Sequence, residues 1–549
     1  VIDVVEVPVL IVGGGPTGMS LALLLDRFGI HSMLTERRPS TTAHPKAFGC
    51  QARTMEQFRV WGIEDRVRDA GLSADADVVC WCESLNGPLV AYTHPEASLN
   101  TPAPKSIVSQ DVVEEALDAA LTGCPLSAVR RSTELVSFEQ DADGVTARLR
   151  GVDTGDEITV RARYLVGCDG ASSVVRDRAG IAMEGPETIA NFASHYYRAD
   201  LSHLPHARSA IGFVVRPADP SRPHVDVLAS GPDADRWRFL QELKDDWLEP
   251  FSEQQLIELV REYWEMPDLE VALINTMPWR MSAQVAERFR AGRVLLAGDA
   301  AHRFPVTGGM GLNSGVQDVH NLAWKLALVL RGDADEALLD TYDSERRPLA
   351  QDNTEWSVRN FRRMKRMDVA FANRHEDPKT WHELLLEMDE QINCEGQSLG
   401  YVYSAGAIVD DGSALPEHDP QYYWPTDRPG ARFPHFWLDV DQTESTIDWF
   451  DTAFVLVCGP DADGWSTAGE RLVTDSAVPL IVKRLPHLLG PLTIGRDGAV
   501  LVRPDGHVAW RATGSGEAHE LGDAIAGVLA GGTLTAAAVA SPRRGEARR

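Results

Sequence analysis

The stretch VLIVGGGPTGMSLALLLDRFG, residues 9–29, decides how the chain begins to fold. Its first four residues are an uninterrupted apolar run, as in a central parallel strand. Gly13, Gly15 and Gly18 then give G-x-G-x-x-G before a run with Leu21, Leu24, Leu25 and Phe28 at helical spacing, and Gly29 closes that helix. Residues 31–35 read as a second strand ending on Glu36. The unit is a βαβ turn of about thirty residues whose helix N-terminus, carrying Pro16 and Thr17, faces a pyrophosphate. Glu36 stands where a carboxylate accepts ribose hydroxyls. The motif alone does not separate FAD from NAD.

A second signature separates them. GRVLLAGDAAHRFPVTGGMGLNSGVQDVHNLAWKLA, residues 292–327, is a buried strand ending on Gly298 and Asp299, then a glycine-rich loop entering a helix. A carboxylate at that strand end suits a polyol such as the ribityl chain of FAD. Gly308, Gly309 and Gly311 let backbone run close to a flat ring. N–H groups near Leu312 and Asn313 offer partial positive charge to a reduced flavin.

Composition bounds the rest. With 549 residues the chain exceeds one core, and 44% hydrophobic content is that of a soluble globular protein. A net charge of -28 argues against a nucleic-acid partner. No apolar run reaches the roughly 18 residues of a membrane span, and the N-terminus enters a strand with no leader, so a cytoplasmic protein is expected. The seven cysteines lack zinc or thioredoxin spacing and read as buried thiols, with no metal site. The sequence leaves a homo-oligomer open.

Along the chain, residues 54–72 and 112–121 read as helices, and 77–92, 135–149 and 157–166 as strands. The region from 180 to about 277 turns aromatic-rich and strand-like, as an inserted sheet domain would. Helices follow at 316–330, 335–347 and on to about 367. A Pro/Gly-rich linker then precedes a compact β/α region with FVLVCG, PLIVKRL and a Pro-Asp-Gly hairpin.

Three segments together resemble the FAD-dependent aromatic hydroxylases, the single-component group A flavoprotein monooxygenases: GGGPTG at 13–18, CDGASSVVR at 168–176 and GDAAHRFPVTGGMGLN at 298–313. QARTMEQFRVWG (51–62), SQDVVEEAL (109–117) and LLDTYDSERRPLA (338–350) are similar to the same family, and LVRPDGHVAWR (501–511) to the thioredoxin-like tail of its phenol and aromatic polyketide hydroxylases. The resemblance implies an α/β fold: a Rossmann-like FAD-binding domain (1–180 and 281–409), an inserted mixed β-sheet substrate domain (181–280), a linker (410–430), a thioredoxin-like C-terminal domain (431–535) and a tail (536–549).

It also implies roles. Glu36 and Arg37 would hold the adenosine end, Arg53 and Gln110 the pyrophosphate and ribityl region, and Leu135 the adenine through its backbone. Asp169, Gly170, Ser173 and Arg176 match a motif linked to FAD and the nicotinamide cofactor. Asp299 would take the ribityl chain, and Pro305 with residues 308–313 would flank the ring. The implied reaction reduces FAD with NADPH or NADH, adds O2 to give a flavin C4a-hydroperoxide, and hydroxylates a phenolic or polyketide-derived aromatic substrate. Baeyer–Villiger insertion or epoxidation by the same machinery stays open. True phenol hydroxylases place an aspartate where this chain has Phe48, so no catalytic base is assigned. His302 reads as cofactor packing, and His195, Tyr196, Tyr197 and Arg280 are candidates for the substrate cavity.

Overall fold

At the centre of the first sheet the strand Val4–Val12 runs parallel to both Glu157–Gly167 and Ser32–Thr35. The sheet continues through Val294–Leu296 to Arg290–Ala291 on one side and to Ser127–Arg130 on the other. Thr133–Gln140 and Val145–Gly151 extend it as an antiparallel ribbon. The computed structural model describes residues 4–72, 76, 78–93, 98–204, 207–217, 224–230, 235–243, 252–531 and 534–535. The expected tail at 536–549 lies outside them. Helices Pro16–Arg27 and Met310–Arg331 pack together, and their apolar residues form one core with the sheet. No described helix is long and apolar enough to cross a membrane.

The second sheet has seven strands in the order Ala272–Met281, Ala190–Arg198, Arg236–Leu243, Val225–Ala229, Ala210–Val215, Val78–Cys82 and Leu89–Thr93. It is mixed, because Ala210–Val215 runs parallel to Val78–Cys82 while its other pairings are antiparallel. It therefore reaches beyond residues 181–280 and takes two strands from the stretch assigned to the first part of the FAD-binding domain. Strand pairing over this separation is set by tertiary contact and leaves no local mark. One face is sealed by helix Glu253–Trp264, which starts at a Ser252/Gln255 capping box and buries Leu256, Val260, Tyr263 and Trp264.

Helix Asp340–Ala372 runs unbroken through Pro348, where two helices were expected. Pro348 removes one backbone hydrogen bond. Burial of Tyr342, Glu345, Arg346, Leu349 and Trp356 on either side holds the two halves in line.

The last domain is a βαβ unit followed by a hairpin and a helix. Phe454–Cys458 pairs parallel to Leu480–Arg484 and antiparallel to Ala499–Val502, which pairs with Val508–Ala512. Helix Ala518–Leu529 follows. Cys458 is fully buried, and burial pushes its thiol up to about 11.

The turn of that hairpin is driven into the first domain. Glu345 accepts from Lys325 Nζ (2.8 Å), Arg503 Nη1 (2.7 Å) and Nη2 (3.0 Å), Asn321 Nδ2 (2.6 Å) and the Ala407 N–H (2.7 Å). Arg503 also pairs with Asp505, and the side chains of Lys325, Glu345 and Arg503 are wholly buried. Beside this knot His320 and His507 are buried, and burial lowers them to about 3 and about 4. Burial likewise lowers His195 to about 4.

These histidines stay neutral in the fold, while the unfolded chain protonates them below about pH 6.5. The unfolded state then binds more protons, so stability falls as pH drops from there toward the folded values. The expected loss between pH 7 and pH 5 is on the order of 1–2 kcal/mol per histidine. Asp318 and Glu345, both held near 2, add a further loss only below about pH 4. Urea midpoints across this range check the prediction; a flat profile down to pH 5 contradicts it.

Candidate functional site

The two glycine signatures converge. A Cβ on Gly298 would sit 2.6 Å from Thr17 Oγ1, so the strand end carrying Asp299 touches the start of helix Pro16–Arg27. Around Gly15, at that helix's N-terminus, an added Cβ would meet nothing within 4 Å among the described residues. Pro16 occupies the first helical turn and no side chain caps it, so its first N–H groups face open space. Asp299 presents an exposed carboxylate to this space, with Gly311 about one van der Waals contact away.

Helix Met310–Arg331 also starts uncapped, at Gly309 in the left-handed region. Gly308 has φ +122°, and a Cβ there would run into the Trp356 ring. The loop thus lies flat on helix Asp340–Ala372, with Thr307 Oγ1 donating to the Ser357 carbonyl at 2.7 Å. Pro305 is buried, while Gly311 and Leu312 stay partly open. Asn313 is fully buried: its Oδ1 accepts the Gln51 N–H at 2.8 Å and its Nδ2 donates to the Gly49 carbonyl at 3.2 Å.

Glu36 sits at the end of its strand. Its Oε2 accepts the Gly14 N–H at 2.7 Å, and its Oε1 accepts the backbone and side chain of Arg38 at 2.8 and 3.1 Å. Burial opposes its charge, but these bonds hold the carboxyl below its usual range. Arg38, and not the exposed Arg37, is the arginine that meets Glu36. The Thr133 N–H donates to the Glu36 carbonyl at 2.9 Å, bringing the strand of Leu135 alongside.

Asp169 is partly buried, and burial raises its carboxyl. One oxygen accepts the Val175 N–H at 3.1 Å, and the other has no partner among the described residues. Gly170 follows with φ +80°. Ser173 caps the next turn by accepting the Arg176 N–H. Buried Arg176 donates to the Ala171 and Ala300 carbonyls at 3.2 and 3.3 Å, fastening this segment to the Asp299 strand end. Gln110 accepts the Ala47 N–H at 3.2 Å, supporting the backbone that leads to Phe48.

Two expected residues are occupied elsewhere. Arg53 is 2% exposed and spends its guanidinium on Glu56 Oε2 (3.0 Å) and the Asp505 carbonyl (2.5 Å), where it helps seat the last domain. His302 stacks on Phe304 at 4.5 Å, and its Nε2 meets Asp318 Oδ2 at 2.7 Å. Arg346 binds the other oxygen of Asp318 at 2.8 Å, making a buried triad under the loop.

The second sheet meets this cradle through one face. His195 and Tyr197 point the other way: Tyr197 Oη accepts Trp264 Nε1 at 2.9 Å on the helix-covered side, and His195 packs near Phe239. Strand alternation places Arg280, half-exposed and 3.6 Å from Glu187, on that side too. Tyr196 lies on the opposite face beside His44. There His44 bonds Ser194 at 3.0 Å and Asn275. Arg238 donates to the Pro45 and Lys46 carbonyls at 2.7 and 3.0 Å and lies 5.5 Å from the Phe48 ring centre.

Segment 44–51 therefore joins this face to the loop at 308–313. Along it Phe192, Leu228, Leu240, Met277 and Trp279 are only half-buried, whereas Val227, Trp237 and Phe239 behind are 0% exposed. Phe192 and Trp279 stack at 4.8 Å with 15° between planes. Sequence reading missed His44, Arg238 and Asn275. For Arg238 the signal was a charge within the aromatic-rich strand RWRFLQEL at 236–243.

A dinucleotide cradle with an acid at a second strand end, opened toward a half-covered apolar sheet face, defines a flavoprotein of the oxygenase type. Residues 6–357 match the FAD binding domain family and 426–531 the aromatic-ring hydroxylase C-terminal family. The chain is 36% identical to tetracenomycin A2 monooxygenase-dioxygenase of Streptomyces glaucescens, covering 96% of this chain and 97% of that protein. Among solved structures it is similar to the flavin-dependent monooxygenase PieE bound to FAD and substrate (TM-score 0.89, 33% identity, 96% of this chain and 99% of that one). It is also similar to aklavinone-11 hydroxylase bound to FAD and aklavinone (TM-score 0.80, 34% identity, 96% and 99%). The chain belongs to the group A FAD-dependent aromatic hydroxylases and is an FAD-dependent monooxygenase.

Proposed function

We propose that the protein hydroxylates a phenolic or polyketide-derived aromatic substrate, using NADPH or NADH and O2. The observation that carries this is the contrast between the two faces of the second sheet. The face joined to the glycine cradle leaves Phe192, Leu228, Leu240, Met277 and Trp279 half-covered. A half-covered, aromatic-lined apolar stretch of this face suits a flat ring system. The names of relatives that act on tetracenomycin and aklavinone skeletons support the same substrate class.

FAD, when bound, would supply the redox chemistry that carries electrons from the nicotinamide to O2 and oxygen to the ring. The protein's own residues do the rest. The N–H groups after Gly15 would hold the pyrophosphate, Glu36 the adenosine ribose and Asp299 the ribityl hydroxyls. The uncapped N–H groups at Gly311 and Leu312 would place partial positive charge against the ring. Asp169 would accept from cofactor or nicotinamide. The apolar face would exclude water from the reacting centre. The βαβ-plus-hairpin order of the last domain supports a thioredoxin-like reading, and buried, unreactive Cys458 supports a packing role there without redox activity.

The test is NAD(P)H oxidation with a panel of phenols and hydroxylated polycyclic aromatics, with product mass and peroxide measured together. Substrate-stimulated oxidation coupled to a ring-hydroxylated product is expected. A lactone or epoxide product would move the reading to Baeyer–Villiger or epoxidising chemistry. Absence of stimulation by every compound rejects hydroxylation.

A further inference from the structure

Tyr403 is held by the last domain through its backbone and ring, and by the flavin-binding domain through its hydroxyl. Its N–H donates to the Gly430 carbonyl at 3.0 Å, and the Gly430 N–H donates to the Val508 carbonyl of the hairpin at 2.8 Å. Its ring lies 4.6 Å from that of His507 and 5.2 Å from the Arg503 guanidinium, one from each side of the hairpin turn. Its Oη accepts from Arg346 Nη1 at 3.1 Å and from Asn321 Nδ2 at 3.4 Å.

From Arg346 the bonds continue to the flavin cradle. Arg346 Nε donates to Asp318 Oδ1 at 2.8 Å, and Asp318 Oδ2 accepts from His302 Nε2 at 2.7 Å and from the Gly298 N–H at 3.1 Å. Gly298 immediately precedes Asp299. Its φ is +62°, and a Cβ there would sit 2.6 Å from Thr17 Oγ1, so this strand end has little slack. Asp318 and Asn321 stand one turn apart on helix Met310–Arg331, whose N-terminus lies at the flavin loop. Tyr403, Arg346, Asp318, Asn321 and His302 are all buried. A missing link here leaves a buried polar group unpaired, which costs more than the bond itself.

We infer that Tyr403 and Arg346 are positioning residues that couple the seating of the last domain to FAD affinity. With the hairpin docked, Tyr403 orients Arg346, Arg346 orients the Asp318 carboxylate, and Asp318 fixes the strand end that presents Asp299. This rests on the reading of Asp299 as the ribityl ligand, and it gives the last domain a part in holding the flavin. The effect is reciprocal: a coupling that tightens FAD when the domain is docked must tighten docking when FAD binds. A scaffold without coupling would stabilise the fold and leave the affinity of the folded protein alone.

The full-length apoprotein is titrated with FAD, following flavin fluorescence, and proteolysis between about residues 410 and 430 is timed with and without FAD. Tyr403→Phe removes the hydroxyl and keeps the ring. It should weaken FAD about fivefold, and Asp318→Asn about tenfold or more. In the double variant the loss should stay within about twofold of D318N alone, because both act through Arg346. FAD should slow cleavage of the parent protein severalfold and leave Y403F unprotected even at saturation. Urea midpoints recorded alongside identify a merely structural hydroxyl, whose loss lowers the midpoint and leaves affinity unchanged. Unchanged affinity in Y403F, additive losses in the double variant, or FAD that protects both proteins equally or neither overturns the inference. Should D318N not fold, the affinity and cleavage of Y403F decide. Asp299→Ala should weaken FAD by itself. If it does and Y403F does not, only the coupling falls; if D299A binds FAD as the parent does, the ribityl assignment falls.

Discussion

Gly15→Val is expected to yield a folded protein that retains less than about a tenth of its FAD, because a side chain there occupies the path of the pyrophosphate. The position isolates binding from folding. Gly15 has φ -81° and ψ -176°, which valine adopts, and its Cβ would meet no atom of the described residues within 4 Å. The urea midpoint of the apoprotein should stay within the range of a neutral surface change, about 0.5 kcal/mol. Gly18→Val is the contrast: its Cβ would collide with the Gly13 carbonyl and push the helix off the strand, so that fold and flavin are lost together. Flavin-to-protein absorbance ratio and the unfolding midpoint separate the two cases. A G15V protein that keeps its flavin would place the pyrophosphate elsewhere.

Glu345→Gln should destabilise the protein by about 3–5 kcal/mol, the usual consequence of removing one partner from a buried charge cluster. The carboxylate meets Lys325 and both terminal nitrogens of Arg503 with no exposure to water. Its loss leaves two buried cations facing Asp505 alone. Burial already lowers Lys325 to about 8 while Glu345 opposes that fall. In the variant the amine gives up its proton, which holds the effect toward the lower end. Because Arg503 comes from the last domain and Glu345 from the long helix, the damage should appear as loosened docking. Faster proteolysis between about residues 410 and 430 and a lowered urea midpoint measure it. Unchanged proteolysis and midpoint would mean that apolar packing, such as Trp324 against Phe454 at 5.7 Å, does the docking alone.

The cofactor half of the site was legible because its determinants are local. Strand, glycine turn, helix and Glu36 follow within one βαβ unit, and Asp299 precedes its loop and helix directly, so spacing carries the geometry. The substrate half was not. A strand's period of two says that Tyr196 faces away from His195 and Tyr197. It does not say which side helix Glu253–Trp264 will cover. The pairing of Val78–Cys82 with Ala210–Val215 joins residues more than a hundred positions apart, and nothing within either strand announces it. Arg53 shows the same limit. Its motif points to the cofactor, but Glu56 beside it and a carbonyl from residue 505 take the guanidinium.

Oxygen bookkeeping tests the central claim most directly. The flavin-loaded protein is given NAD(P)H and isotopically labelled O2 with a phenol that stimulates turnover, and the product is weighed. One labelled oxygen on the ring for each nicotinamide oxidised is the predicted result. Product oxygen drawn from water, or nicotinamide consumed with all the oxygen recovered as peroxide across the whole panel, would contradict it.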